Sequence, residues 1–103
     1  MNPSTRSRSL RVVFLMDPLE TVVFEKDTTF ALMLGAKERG HEVYFLPSDG
    51  ITSLNGKIIF HAVKVVPQRI KAKPFVIKQK IDLPAEKVDV VFIRTDPPFD
   101  EEY

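Results

Sequence analysis

Arg94, Thr95 and Asp96 stand in a row, and Pro97 and Pro98 follow them directly. The prolines push Asp96 out of the helical region and stiffen the chain there, so a guanidinium, a hydroxyl and a carboxylate share one rigid ledge. Upstream, Val90 to Ile93 is an unbroken apolar run. A half-exposed strand would alternate, so the run reads as a strand buried on both faces and hence central and parallel. Open α/β sheets bind ligands outside the carboxyl ends of their strands, which makes this ledge the first place to look for a function. The alternative is an ordinary strand-to-helix loop.

Other residues converge on the same edge. Asp17 follows a first apolar strand, Arg11 to Met16, and Lys26 to Thr29 begin a helix lying between the two strands in sequence. Asp17, Thr28, Arg94 and Asp96 are therefore the candidate site residues. Paired aspartates can do general acid/base work, but no proton transfer is assigned to them. His41 reads as a surface residue near a helix end, where a cation is favoured, rather than as a base. With His61 the only other histidine and no cysteine, thiolate metal sites, disulfides and a cysteine nucleophile are excluded, and a histidine-rich metal site has no support. No Gly-x-Gly-x-x-Gly follows the first strand and no Gly-Lys-Ser/Thr loop occurs, so neither a dinucleotide nor a P-loop site is indicated.

The elements that must hold these residues are legible. Asp27-Thr28-Thr29 supplies N-cap chemistry, Phe30 to Arg39 carries an apolar stripe of Phe30, Met33 and Leu34, and Gly40 is placed as the C-cap. Gly35 inside this helix implies close packing on the sheet. A strand follows from His41 to Leu46, completing a right-handed βαβ unit. Asn55-Gly56 signals a type I′ hairpin between Ile51 and Val66, and Phe75 to Ile81 reads as a further edge or flanking strand. Between Gly50 and Ile81 there is no acidic residue, yet Lys57, Lys64, Arg69, Lys71, Lys73, Lys78 and Lys80 all lie there. Lysines that keep exposed strand edges from pairing explain this better than an anion groove does. The expected fold is α/β, Rossmann-like, with a parallel sheet core in two or three layers and an inserted β-hairpin. Leu10 to Met16 should lie between His41 to Leu46 and Val90 to Arg94.

Composition bounds the rest. One domain suits 103 residues, with residues 1–9 a polar tail and 10–103 the domain. Basic and acidic residues nearly balance, 15 to 14, which argues against a nucleic-acid-coating protein. The longest apolar run, Leu10 to Met16 with Arg11 inside it, is too short to span a bilayer, and the chain is read as cytoplasmic. Asp100 to Tyr103 looks like the start of a helix, which suggests a fragment, or a chain that a partner completes.

Met16-Asp17-Pro18, Lys26-Asp27-Thr28-Thr29-Phe30-Ala31 and above all Arg94-Thr95-Asp96-Pro97-Pro98-Phe99-Asp100 resemble the N-terminal domain of bacterial glutathione synthetase. The similarity runs from about Leu10 to Tyr103. It implies a pre-ATP-grasp domain of an ATP-dependent ligase that joins γ-glutamylcysteine to glycine, using ATP and magnesium bound mainly by a C-terminal ATP-grasp region not found in this sequence. It further implies a homo-oligomer, with Arg94 in the peptide-substrate pocket and Asp17 and Asp96 orienting it or meeting the substrate's amino group. Thr95 departs from the lysine often found at its position. Two other readings compete with the ligase: a stand-alone Rossmann-like module for a small acidic ligand or a protein partner, and a purely structural oligomerisation domain.

Overall fold

A computed structural model describes residues 9–19 and 28–94. Among these described residues six strands form one mixed sheet: β1 (Arg11–Met16), β2 (Glu42–Leu46), β3 (Ile51–Leu54), β4 (Lys57–Pro67), β5 (Phe75–Pro84) and β6 (Val90–Arg94), with one α-helix, α1 (Thr28–Glu38), after β1. The order is β3-β4-β2-β1-β6, with β5 paired to β4. β1 lies parallel between β2 and β6, with Val13 opposite Tyr44 on one side and Val91 on the other. The pairings of β4 with β2, β3 and β5 are antiparallel. The fold is therefore α/β, but only β2, β1 and β6 make the parallel part.

Alternation along β1 decides which side chains meet. Val12, Phe14 and Met16 join Val43 and Val65 beneath Phe30, Met33 and Leu34 of α1. Val13 packs on the other face with Tyr44, Leu46, Phe60, Ala62 and Leu83. No long helix is described on that second face. Ala85 of a short 3₁₀ turn (Ala85–Lys87) and Val88 pack against it instead.

α1 ends as its sequence requires. Gly40 takes φ 84°, its N–H bonds the Lys37 carbonyl at 2.9 Å, and the His41 N–H bonds the Ala36 carbonyl at 3.0 Å, which is the Schellman pattern. The hairpin is type I′, with Asn55 at φ 53° and Gly56 at φ 80°.

Two expectations need correction. Val90 to Ile93 is an edge strand, not a central one: Val91, Phe92 and Ile93 are 41%, 37% and 70% exposed. A continuous apolar run records what a strand needs covered, and among the described strands only β1 covers β6. Gly35 makes no close approach to the sheet; the nearest atom to a Cβ added there is Arg39 Nη1 at 3.4 Å. Its cost to the helix, about 1 kcal/mol relative to alanine, is not offset by sheet contact.

Candidate functional site at the carboxyl edge of the parallel strands

Because β1 and β6 run parallel and in register, Met16 lies opposite Arg94, and Asp17 is the first residue beyond that pair. The βαβ connection returns over the same face, so the first turn of α1 arrives at the same edge. There Arg94 Nε donates a hydrogen bond to Thr29 Oγ1 at 3.2 Å, across 65 positions of sequence. Phe92, two residues before Arg94, stacks on Phe14 with ring centroids 5.1 Å apart and planes 16° apart. That stack fixes the direction in which β6 delivers its last residue.

The structure thus brings Arg94, Thr29 and the end of β1 to one edge. Thr28 is exposed, whereas Thr29 is buried and points at the sheet. Thr28, the candidate from the sequence, is thus the neighbour of the threonine that bonds Arg94. The signal was present, since Thr29 lies four positions before Met33 on the buried stripe. An aspartate was the expected partner of Arg94; among the described residues its hydrogen-bond partner is Thr29, and no ion pair joins it to Asp17. Asp96, Thr95, Pro97, Pro98, Lys26 and Asp27 lie outside the described residues.

Arg94 remains exposed despite this bond. A guanidinium carries five N–H donors in a fork, so a bond at Nε leaves the terminal nitrogens to meet a carboxylate two-pronged. His41 has a structural duty: its Nδ1 accepts the Leu10 N–H at 3.1 Å, at the opposite edge. At that same edge Arg11 pairs with Glu42 at 3.5 Å, and Asp89 accepts the Arg11 N–H at 2.8 Å.

Among the described residues no group of three or more His, Asp or Glu is placed to hold a metal ion. No ATP- or magnesium-dependent step is assigned to these residues. No helix among them is long and apolar enough to cross a membrane.

The chain is thus an α/β domain with an arginine and a helix start at the carboxyl edge of its parallel strands. Residues 10–103 match the family described as prokaryotic glutathione synthetase, N-terminal domain, and this chain belongs to that family. It is 33% identical over 95 residues to the glutathione synthetase of Brucella melitensis, covering 92% of this chain and 30% of that protein. Similar figures hold for the glutathione synthetases of Coxiella burnetii, 35% over 95 residues, and Escherichia coli K12, 30% over 94 residues. The chain spans about 30% of the length of each of these curated relatives.

Proposed function

We propose that this domain is the substrate-binding N-terminal part of a glutathione synthase, a pre-ATP-grasp domain that holds γ-glutamylcysteine while a following ATP-grasp region binds ATP, magnesium and glycine. The observation that supports it most is Arg94. β6 ends with it at the carboxyl edge of the parallel strands, Thr29 accepts from its Nε at 3.2 Å, and the residue stays exposed. In this reading the fork receives a carboxylate of the dipeptide, while Asp17 and Asp96 meet its amino group and Thr28 lines the entrance. The domain's contribution is positioning. The 1–9 tail lies outside the working unit, the assembly is a homo-oligomer, and the enzyme works in the cytoplasm.

The test uses the full-length protein. A charge-assisted hydrogen bond contributes roughly 1.5 to 3 kcal/mol, so Arg94→Ala should lower kcat/KM for γ-glutamylcysteine roughly 10- to 100-fold. Arg94→Lys should restore only part, because an ammonium cannot make the two-pronged contact. An unchanged kcat/KM beside a lowered Tm would reduce Arg94 to a tie between β6 and α1. The 103-residue chain alone should form no glutathione from ATP, glycine and γ-glutamylcysteine; product above a no-enzyme control would place catalysis inside this domain.

A further inference from the structure

Far from that edge, the ribbon of β3, β4 and β5 carries three polar side chains in a relay. Asp82 lies directly opposite His61 in the β4–β5 ladder, and Thr52 lies diagonal to His61 across the β3–β4 ladder. His61 Nδ1 is 2.8 Å from Asp82 Oδ1, and His61 Nε2 is 2.7 Å from Thr52 Oγ1. A carboxylate can only accept, so Nδ1 carries the hydrogen; in the neutral ring Nε2 is then a lone pair, and the Thr52 hydroxyl must be its donor. The order is hydroxyl, base and orienting carboxylate, the arrangement that turns a poor nucleophile into a usable one.

We propose that the Thr52 hydroxyl is a nucleophile that accepts the acyl group of activated esters, with His61 as its base and Asp82 holding His61 in the required tautomer. All three residues are exposed, the His61 and Asp82 side chains by 46% and 73%, so an acyl donor can reach the oxygen. Strand alternation and ladder pairing put Leu54, Lys57 and Lys80 on the same face as Thr52, His61 and Asp82. Leu54 offers 62%-exposed apolar surface beside the hydroxyl, and the two lysines favour a donor on whose leaving oxygen negative charge builds up before it is protonated. In the step, Thr52 Oγ bonds to the acyl carbon and its proton passes to His61 Nε2. The carbon–oxygen bond to the leaving group then breaks, and Nε2 returns the proton to the departing oxygen. Nothing is oxidised or reduced; a threonine ester and a free phenol or alcohol result. This relay is independent of the glutathione synthase reading.

The probe is p-nitrophenyl acetate on the 103-residue chain, followed by digestion and quantification of O-acetylated peptides by tandem mass spectrometry. Ser53 is the internal reference, an exposed hydroxyl one residue away on the opposite face of the ribbon. General-base assistance contributes typically 10²–10⁴-fold, and an open surface forfeits part of it, so Thr52 should label at least about tenfold faster than Ser53. His61→Ala should bring Thr52 down to the Ser53 rate, and Asp82→Asn should give an intermediate rate. Circular dichroism checks that both variants keep the sheet; if His61→Ala does not, Asp82→Asn decides alone. Labelling of Thr52 no faster than Ser53, fast labelling that survives in the decisive variant, or acetyl confined to lysines would each overturn the proposal.

Discussion

In β1, Val12, Val13, Phe14 and Met16 are all buried, so both faces of that strand are covered; in β3 all four residues are exposed, so neither face is. β5 repeats the contrast within one strand, burying Phe75 and Leu83 near its ends while Ile77 to Lys80 stand exposed in a row. β1 and β2 lie at the centre, and β3 with the middle of β5 reaches out from it. Charge follows the same division. Lys78 and Lys80 lie in the exposed stretch of β5, where charged side chains discourage pairing with another sheet. β6, the edge strand at the other end, carries no charge before Arg94. An apolar edge and a lysine-rich edge are different statements about neighbours: one needs cover, the other repels it.

Two apolar residues from neighbouring runs that look alike in sequence should respond very differently to truncation. Phe14 is fully buried and stacked on Phe92, whereas Ile93 is 70% exposed one strand away. Truncating a fully packed phenylalanine costs about 3–5 kcal/mol. Phe14→Ala should therefore unfold the isolated chain or shift its denaturant midpoint by most of its range, while Ile93→Ala should change stability by only about 0.5 kcal/mol. Equal losses at the two positions, measured in urea, would mean that β6 is covered in solution as fully as β1.

That pair also shows how far the sequence could be read. Stop and stripe of α1, the type I′ hairpin and the placement of β1 between β2 and β6 all follow from local chemistry, glycines at positive φ and apolar period, whereas α1 starts at Thr28, two residues before the expected Phe30, so that Thr28 and Thr29 are helical rather than caps. The edge position of β6 does not, because four apolar residues look the same whether their cover is within the described residues or beyond them. Arg94 was legible from its place after a strand. Its bond to Thr29 rather than to an aspartate depends on which threonine of the first helical turn faces the sheet, information that the stripe from Thr29 to Met33 held but that the cap reading overrode. The Thr52, His61 and Asp82 relay had no sequence signal at all, since it exists only once three strands take one particular register.

A smaller effect tests the ribbon. Gly56 sits at φ 80° with open space where a side chain would go, so Gly56→Ala meets no clash and costs only the strain of that backbone, roughly 1–2 kcal/mol. The loss should fall on the hairpin: hydrogen-exchange protection across β3 should drop while that of β1 and β2 stays as it was. Equal loss of protection in both regions would mean that ribbon and core unfold as one unit.

The smallest effect lies where the two regions join, at Tyr44, whose register partner in the ribbon is Lys64. Tyr44 is 2% exposed, and its hydroxyl donates to Glu42 Oε1 at 2.6 Å. That hydrogen bond, ahead of the charges of Lys64 and Arg11, holds the Glu42 carboxyl below its usual range against the opposing effect of burial. Burial first, and then Glu42, push the Tyr44 hydroxyl up to about 12. The signs are opposite at the two ends of the pH scale. Glu42, with a lowered folded value, adds stability that is present above its ordinary value of 4.5 and lost as pH falls through the folded one. Tyr44, with a raised value, adds stability that is present below 10 and lost as pH rises towards 12. Tyr44→Phe keeps the ring in the core and removes only the donor. At pH 7 it should cost about 0.5–1 kcal/mol, at the low end for a bond to a charged group because the Glu42 side chain is still 34% exposed and can turn to water. The gap between wild type and variant should narrow in urea titrations as pH drops below 4.5, because the carboxylate that made the bond worth having is then protonated. A gap that stays constant from pH 7 down to strong acid would show that the hydroxyl stabilises the chain by packing alone, and that Glu42 is no part of the seam between core and ribbon.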